Sequence, residues 1–123
     1  MTTTEPFVWF VVPGIPPSGN HYKKPVRRGK YLGFYLTKKA KAFKEAVWVA
    51  SARRKVRAKA YKVEVTVWMG KGDRGDADNF WKVILDSLVA AGCIDTDAKV
   101  SDIILRKRRD RSDPRTEIGV TGL

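Results

Sequence analysis

Two aspartates stand one residue apart in the stretch Asp76-Ala77-Asp78-Asn79, and Lys82 follows four residues after Asp78. In an extended segment, residues at i and i+2 project to the same side, so both carboxylates can meet one cation. Magnesium suits such a pair, because it takes hard oxygen ligands and keeps waters that a phosphate oxygen can replace. Lys82, one helical turn beyond Asp78, can hold a scissile phosphate or neutralise charge that develops there. A plainer reading uses the same residues: Asp78 or Asn79 caps a helix, and Lys82 pairs with Asp86. A third carboxylate would favour the metal. Asp95 and Asp97 lie in the turn after the following helix. That helix, about thirteen residues and roughly 20 Å long, carries the turn away from Asp76 unless the chain folds back.

The charge distribution sets these acids apart. The 123 residues carry 25 Lys and Arg against 13 Asp and Glu, a formal charge of +12, which points to a polyanionic partner, nucleic acid before anionic membrane. Residues 1–72 hold sixteen basic side chains and three acids, whereas residues 73–102 hold three basic side chains and seven aspartates. A passive nucleic-acid binder gains nothing from such a stretch, since each aspartate repels phosphate. A site that holds a divalent cation does, because the metal reverses the sign. Basic side chains recur at Lys23, Lys24, Arg27, Arg28 and Lys30, and again at Lys107, Arg108 and Arg109. They are expected to contact phosphates without reading sequence. His21, the single histidine, is more suited to contacting DNA than to catalysis, and Cys93, the single cysteine, reads as a packing residue and excludes an internal disulfide. The longest apolar run, Phe7–Val12, is too short to span a bilayer or to serve as a secretory signal, so a cytoplasmic protein is expected.

Length and composition fit one domain over residues 1–123, with 1–6 frayed. Phe7–Val12 reads as a buried strand, and Pro13–Asn20 as a loop rich in proline and glycine. The basic stretch 23–30 reads as a mobile loop ending in a short strand near Tyr31–Tyr35. Thr37 is a fitting N-cap for a helix to about Lys59, with Ala40, Phe43, Val47 and Ala50 on its inner face. Tyr61–Met69 alternates as a strand, Asn79–Ala91 keeps helical spacing, and Gly92 supplies its stop. Strands are expected at 100–106 and 116–121, joined by the basic segment 107–111. Trp48, Trp68 and Trp81 fall at core spacings. The fold class is α+β: a mixed β-sheet with two main helices.

The pattern Gly14-Ile15-Pro16-Pro17-Ser18-Gly19-Asn20 with Tyr22, then Asp76-Ala77-Asp78-Asn79 with Lys82 and Asp86, then Gly92, Ile94, Asp97 and Val100, resembles the RusA family. These are bacterial and phage endodeoxyribonucleases that resolve Holliday junctions in recombination and repair, and the resemblance runs over residues 7–121. It implies a magnesium-dependent homodimer acting on branched DNA, with manganese as a substitute ion, no small-molecule cofactor and no membrane. By position, Asp76, Asp78 and Asp97 match the family's essential acids and Lys82 its catalytic lysine. Many members have two adjacent aspartates where this chain has Thr96-Asp97, so Asp95 stays open as a substitute ligand. A non-catalytic nucleic-acid binder and a flap or branched-DNA nuclease on the same scaffold are the competing readings. Trp9, Phe34 and Trp81, aromatics without a clear core face, are candidates for an apolar dimer interface.

Overall fold

The computed structural model describes residues 3–17, 23–28, 31–73 and 77–123. Among these residues ten strands and α-helices follow in order: β1 (Thr3–Glu5), β2 (Phe7–Pro13), β3 (Lys23–Arg28), β4 (Tyr31–Leu36), α1 (Lys38–Ser51), β5 (Arg54–Val56), β6 (Tyr61–Met69), α2 (Ala77–Ala90), β7 (Val100–Arg109) and β8 (Arg115–Gly122). The main sheet runs β2-β8-β6-β7. β8 is antiparallel to both its neighbours, whereas β6 and β7 are parallel and joined through α2. Such a connection needs a crossover element, and α2 is long enough to return the chain from the end of β6 to the start of β7.

Period-two alternation decides the faces. Val63, Val65 and Val67 of β6 are buried, as are Val8, Phe10 and Val12 of β2 and Ile118 and Val120 of β8. The register sets Val8 and Val63 beside Val120, and Phe10 and Val65 beside Ile118, so these side chains share one face. Ala40, Phe43 and Val47 of α1, with Phe80, Val83, Ile84 and Leu88 of α2, cover it and complete the core. The other face is open. Phe7 and Trp9 are each 49% exposed there, and Trp68 donates from Nε1 to Glu117 at 2.7 Å beneath the Arg115 guanidinium, 4.6 Å from its ring.

Several expectations stand: the α+β mixed sheet with two helices, the Thr37 cap, which accepts from Ala40 N at 3.2 Å, the full span of β6, and Gly92 with φ 75° just past α2. Others are corrected. Phe7–Val12 is half-exposed, because β2 forms one side of the sheet and only one of its faces meets the helices. Residues 23–28 pair with 31–36 as a hairpin, not as a basic loop. Helix α1 stops at Ser51, where Ala52 takes φ 52° and donates its N–H to Val49 O, and the chain leaves to pair β5 with β1. Residues 107–109 extend β7 rather than connecting strands. Trp48 is 47% exposed with Arg53 over its ring, while Trp81 packs on the edge of the core. His21, Lys30, Asp76 and the segment Ser18–Tyr22 lie outside the described residues.

Candidate active site

The parallel β6–α2–β7 unit fixes where each acid falls. Asp78 lies in the first turn of α2, at the end of the sheet where β6 and β7 finish. Neither it nor Asn79 occupies the cap position, and the same-side argument for an extended Asp76-x-Asp78 pair fails at Asp78, which is helical. The first turn of a helix favours a carboxylate by another route, through the positive end of the helix dipole.

The turn that leads there is firmly held. Asp73 Oδ2 accepts from Gly70 N at 2.6 Å, Arg109 Nη1 donates to Gly70 O at 2.7 Å, and Asp110 N donates to Met69 O at 2.9 Å. The C-terminal end of β7 therefore clamps the turn after β6. Beside it, Pro13, Ile15, Pro16 and Pro17 face Lys39, Phe43, Gly72 and Asp73 across a cleft of about 510 Å³. Gly14 N donates to Pro114 O and Thr116 Oγ1 donates to Gly14 O, both at 3.0 Å, which fixes the root of that proline loop on β8. Lys39 and Asp73 as cleft residues escaped sequence reasoning, because only tertiary packing brings the loop after β2 against the turn after β6.

Lys82 is largely exposed, one turn along α2, with Nζ 3.8 Å from Asp86 Oδ2. A pair so open to solvent contributes little and leaves the ammonium available to another anion.

Asp95 and Asp97 belong to the opposite end of α2. Asp95 accepts from the Tyr61 hydroxyl at 2.9 Å and from Lys99 Nζ at 2.7 Å. The Lys99 ammonium first, then the Tyr61 hydroxyl, holds its carboxyl below the usual range. Asp97 opens a 3-10 turn, Asp97–Lys99, that Thr96 caps by accepting from Ala98 N at 3.2 Å. Its exposed side chain lines a shallow groove with Lys44, Asp86, Val89, Ala90, Asp95 and Thr96. Asp86 is already eight residues, about 12 Å, along the helix from Asp78. Asp97 and Asp78 of one chain thus lie at different ends, and among the described residues no three metal-ligating side chains come together.

Of the expected phosphate contacts, Lys107 and Arg108 are exposed on β7. Arg109, also exposed, is tied to Gly70 O. Lys23, Lys24, Arg27 and Arg28 are carried by the β3–β4 hairpin. No helix of the described residues is long and apolar enough to cross a membrane.

A search of curated proteins finds no match for this sequence. The family model of the endodeoxyribonuclease RusA, however, matches residues 13–121 of the 123, from the proline loop through the acids on both ends of α2 to the last strand. This chain belongs to the RusA endodeoxyribonuclease family.

Proposed function

We propose that the protein is a magnesium-dependent endodeoxyribonuclease that resolves four-way DNA junctions by paired nicks, acting as a homodimer in the cytoplasm of a bacterium or in a phage-infected cell. The family match over residues 13–121 carries this reading. Asp76, Asp78 and Asp97 are the proposed ligands, and their hard carboxylate oxygens suit magnesium or manganese. Because Asp97 and Asp78 of one chain lie at different ends of α2, they serve one ion only between the two copies of the homodimer. When bound, the ion lowers the pKa of a coordinated water and offsets charge on the phosphorus-bound oxygens.

The chain's own groups do the rest. Lys82, exposed one turn from Asp78, is placed to take a non-bridging phosphate oxygen and stabilise the charge that builds as the phosphodiester breaks. The hairpin cations and Lys107, Arg108 and Arg109 hold the backbone of the duplex arms. Paired nicks on opposed strands require two sites related by a two-fold axis, which one chain with one acid set does not supply.

The test is cleavage of a synthetic four-way junction, a flap and a linear duplex, each with and without magnesium. Paired, magnesium-dependent nicks in the junction that vanish in Asp78→Asn support the reading. Equal cutting of all three substrates would make the enzyme a general nuclease, and binding without cleavage under any divalent ion would make it a binding protein.

A further inference from the structure

The cleft of about 510 Å³ between the proline loop and α1 contains none of the three proposed ligands. Its volume falls in the range of small-ligand sites, about 300–1,000 Å³. Pro13, Pro16 and Pro17 line one side, and Ala42 and Phe43 the other. The prolines bring no N–H groups and Phe43 presents only an apolar ring, so the walls offer few hydrogen bonds. Polar recognition falls to two side chains, the Lys39 ammonium and the Asp73 carboxylate. Both walls are fixed from outside. Gly14 is held on Pro114 and Thr116, and Asp73 N donates to Gly70 O at 3.2 Å while its own Oδ2 accepts from Gly70 N. A slot set in advance spends little of a ligand's binding energy on ordering itself.

The two charges sort the ligands. A phosphate inside the slot would meet Asp73 and two apolar walls, so the DNA backbone does not belong there. A flat base does, because its faces can lie against proline and phenylalanine while an exocyclic amine donates to Asp73. Oδ2 of that carboxylate is taken by Gly70 N, whereas Oδ1 has no hydrogen bond among the described residues. Lys39, exposed on the first turn of α1, can meet the phosphate of the same nucleotide. One donor-only and one acceptor-only group thus complement the two ends of a nucleotide.

We propose that the cleft receives a single base displaced from a DNA branch point, with Asp73 accepting from its exocyclic amine and Lys39 on its phosphate. This rests on the nuclease reading above and adds to it a position at which sequence is read. A base at a branch point has lost part of its stacking, so displacing it costs less than in a continuous duplex. Cytosine and adenine present an amine where thymine and guanine present O4 and O6, and a carboxylate can only accept. The slot therefore selects cytosine or adenine. Asp73 leads through the following turn into α2, so the captured nucleotide sets which phosphodiester is presented at the Asp78 end.

The probe is a four-way junction that carries 2-aminopurine next to a branch-point base, bound without any divalent ion. The reporter brightens when its neighbour leaves the stack. With cytosine or adenine as that neighbour the wild type is expected to raise fluorescence about threefold, and with thymine or guanine far less. Ala42→Leu, which fills the slot from an exposed helix position, should lose the rise. Glu45→Leu, exposed on the same helix but outside the cleft, should keep it. Asp73→Asn offers the base an amide N–H while its oxygen accepts from Gly70 N, so the order of bases should invert, in fluorescence and in nicking rate. A bound junction with no rise at any branch-point position would overturn the proposal. So would a rise that Ala42→Leu leaves intact, or a base order unmoved by Asp73→Asn. A rise in the expected order with no nicking under magnesium would instead refute the nuclease reading and keep the slot. A junction that is not bound at all would overturn both.

Discussion

The Tyr61 hydroxyl, at the start of β6, donates to Asp95 Oδ1 at 2.9 Å and also lies 3.0 Å from Val56 O. Lys99 Nζ takes the other carboxylate oxygen. Asp95 is thereby occupied as a fastener between the chain after α2 and the sheet, whereas Asp97, two residues on, is exposed and holds no such bonds among the described residues. Asp97→Asn should therefore reduce magnesium-dependent nicking by on the order of 10²-fold with an unchanged melting curve. Asp95→Asn should keep most activity and lower the melting temperature. The reverse pattern in a junction-cleavage assay would make Asp95 the ligand.

Alkaline pH should loosen the fold through two buried groups. Burial pushes the Cys93 thiol up from 9.0 to about 11, and burial first, then its bond to Asp95, raises Tyr61 as well. Both folded-state values lie above the unfolded ones, so their contribution is complete below the unfolded values and is lost as pH rises through the folded ones. For Cys93 the window is from 9.0 to about 11. The thiol accounts for about 2–3 kcal/mol across it. Urea midpoints measured from pH 8 to 11 should fall, and Cys93→Ala should flatten the fall.

A methyl group at Gly70 has no room. An added Cβ would lie 2.6 Å from Pro114 Cγ and 3.0 Å from Asp73 Oδ2, the same oxygen that accepts from Gly70 N. Gly70→Ala is expected to cost about 1–3 kcal/mol by displacing the turn that leads into α2. It should lower nicking more than junction binding, because the basic surface survives. A kinetic comparison with Lys71→Ala, an exposed neighbour, isolates the effect.

Lys107 and Arg108 project from the outer strand of the sheet, and their replacement by glutamine should weaken junction binding uniformly across sequences. The slope of log affinity against log salt should drop by about 1 for each phosphate that is no longer neutralised. An unchanged slope in fluorescence anisotropy titrations would remove these side chains from the DNA surface.

Local patterns made parts of this fold legible. The alternation from Tyr61 to Met69 named a strand and its buried face, and Thr37 before a helical run named a start, because both signals lie within a few residues. The end of α1 did not follow from its sequence: Arg54–Val56 is drawn off by parallel pairing with Thr3–Glu5, supported by Arg54 Nε donating to Glu5 at 2.7 Å, a partner 49 residues away. Trp48 failed for a similar reason, since helical spacing places a residue on a face without saying whether anything covers it. The acids were recognisable by type and spacing, but their separation depends on β6 and β7 being parallel, which no single segment encodes.

The second strand and the last, β2 and β8, are hydrogen-bonded neighbours. Phe7 pairs with Thr121, and Gly122 N donates to Pro6 O at 2.9 Å. The polypeptide is thus almost a closed ring, and its most sequence-distant pairing, β2 with β8, must wait until nearly the whole chain has been gathered. Joining the ends through a short glycine linker and opening the chain at the exposed Arg111–Ser112 bend would turn that pairing into a hairpin. The permuted protein should keep the same sheet, yet reach it faster.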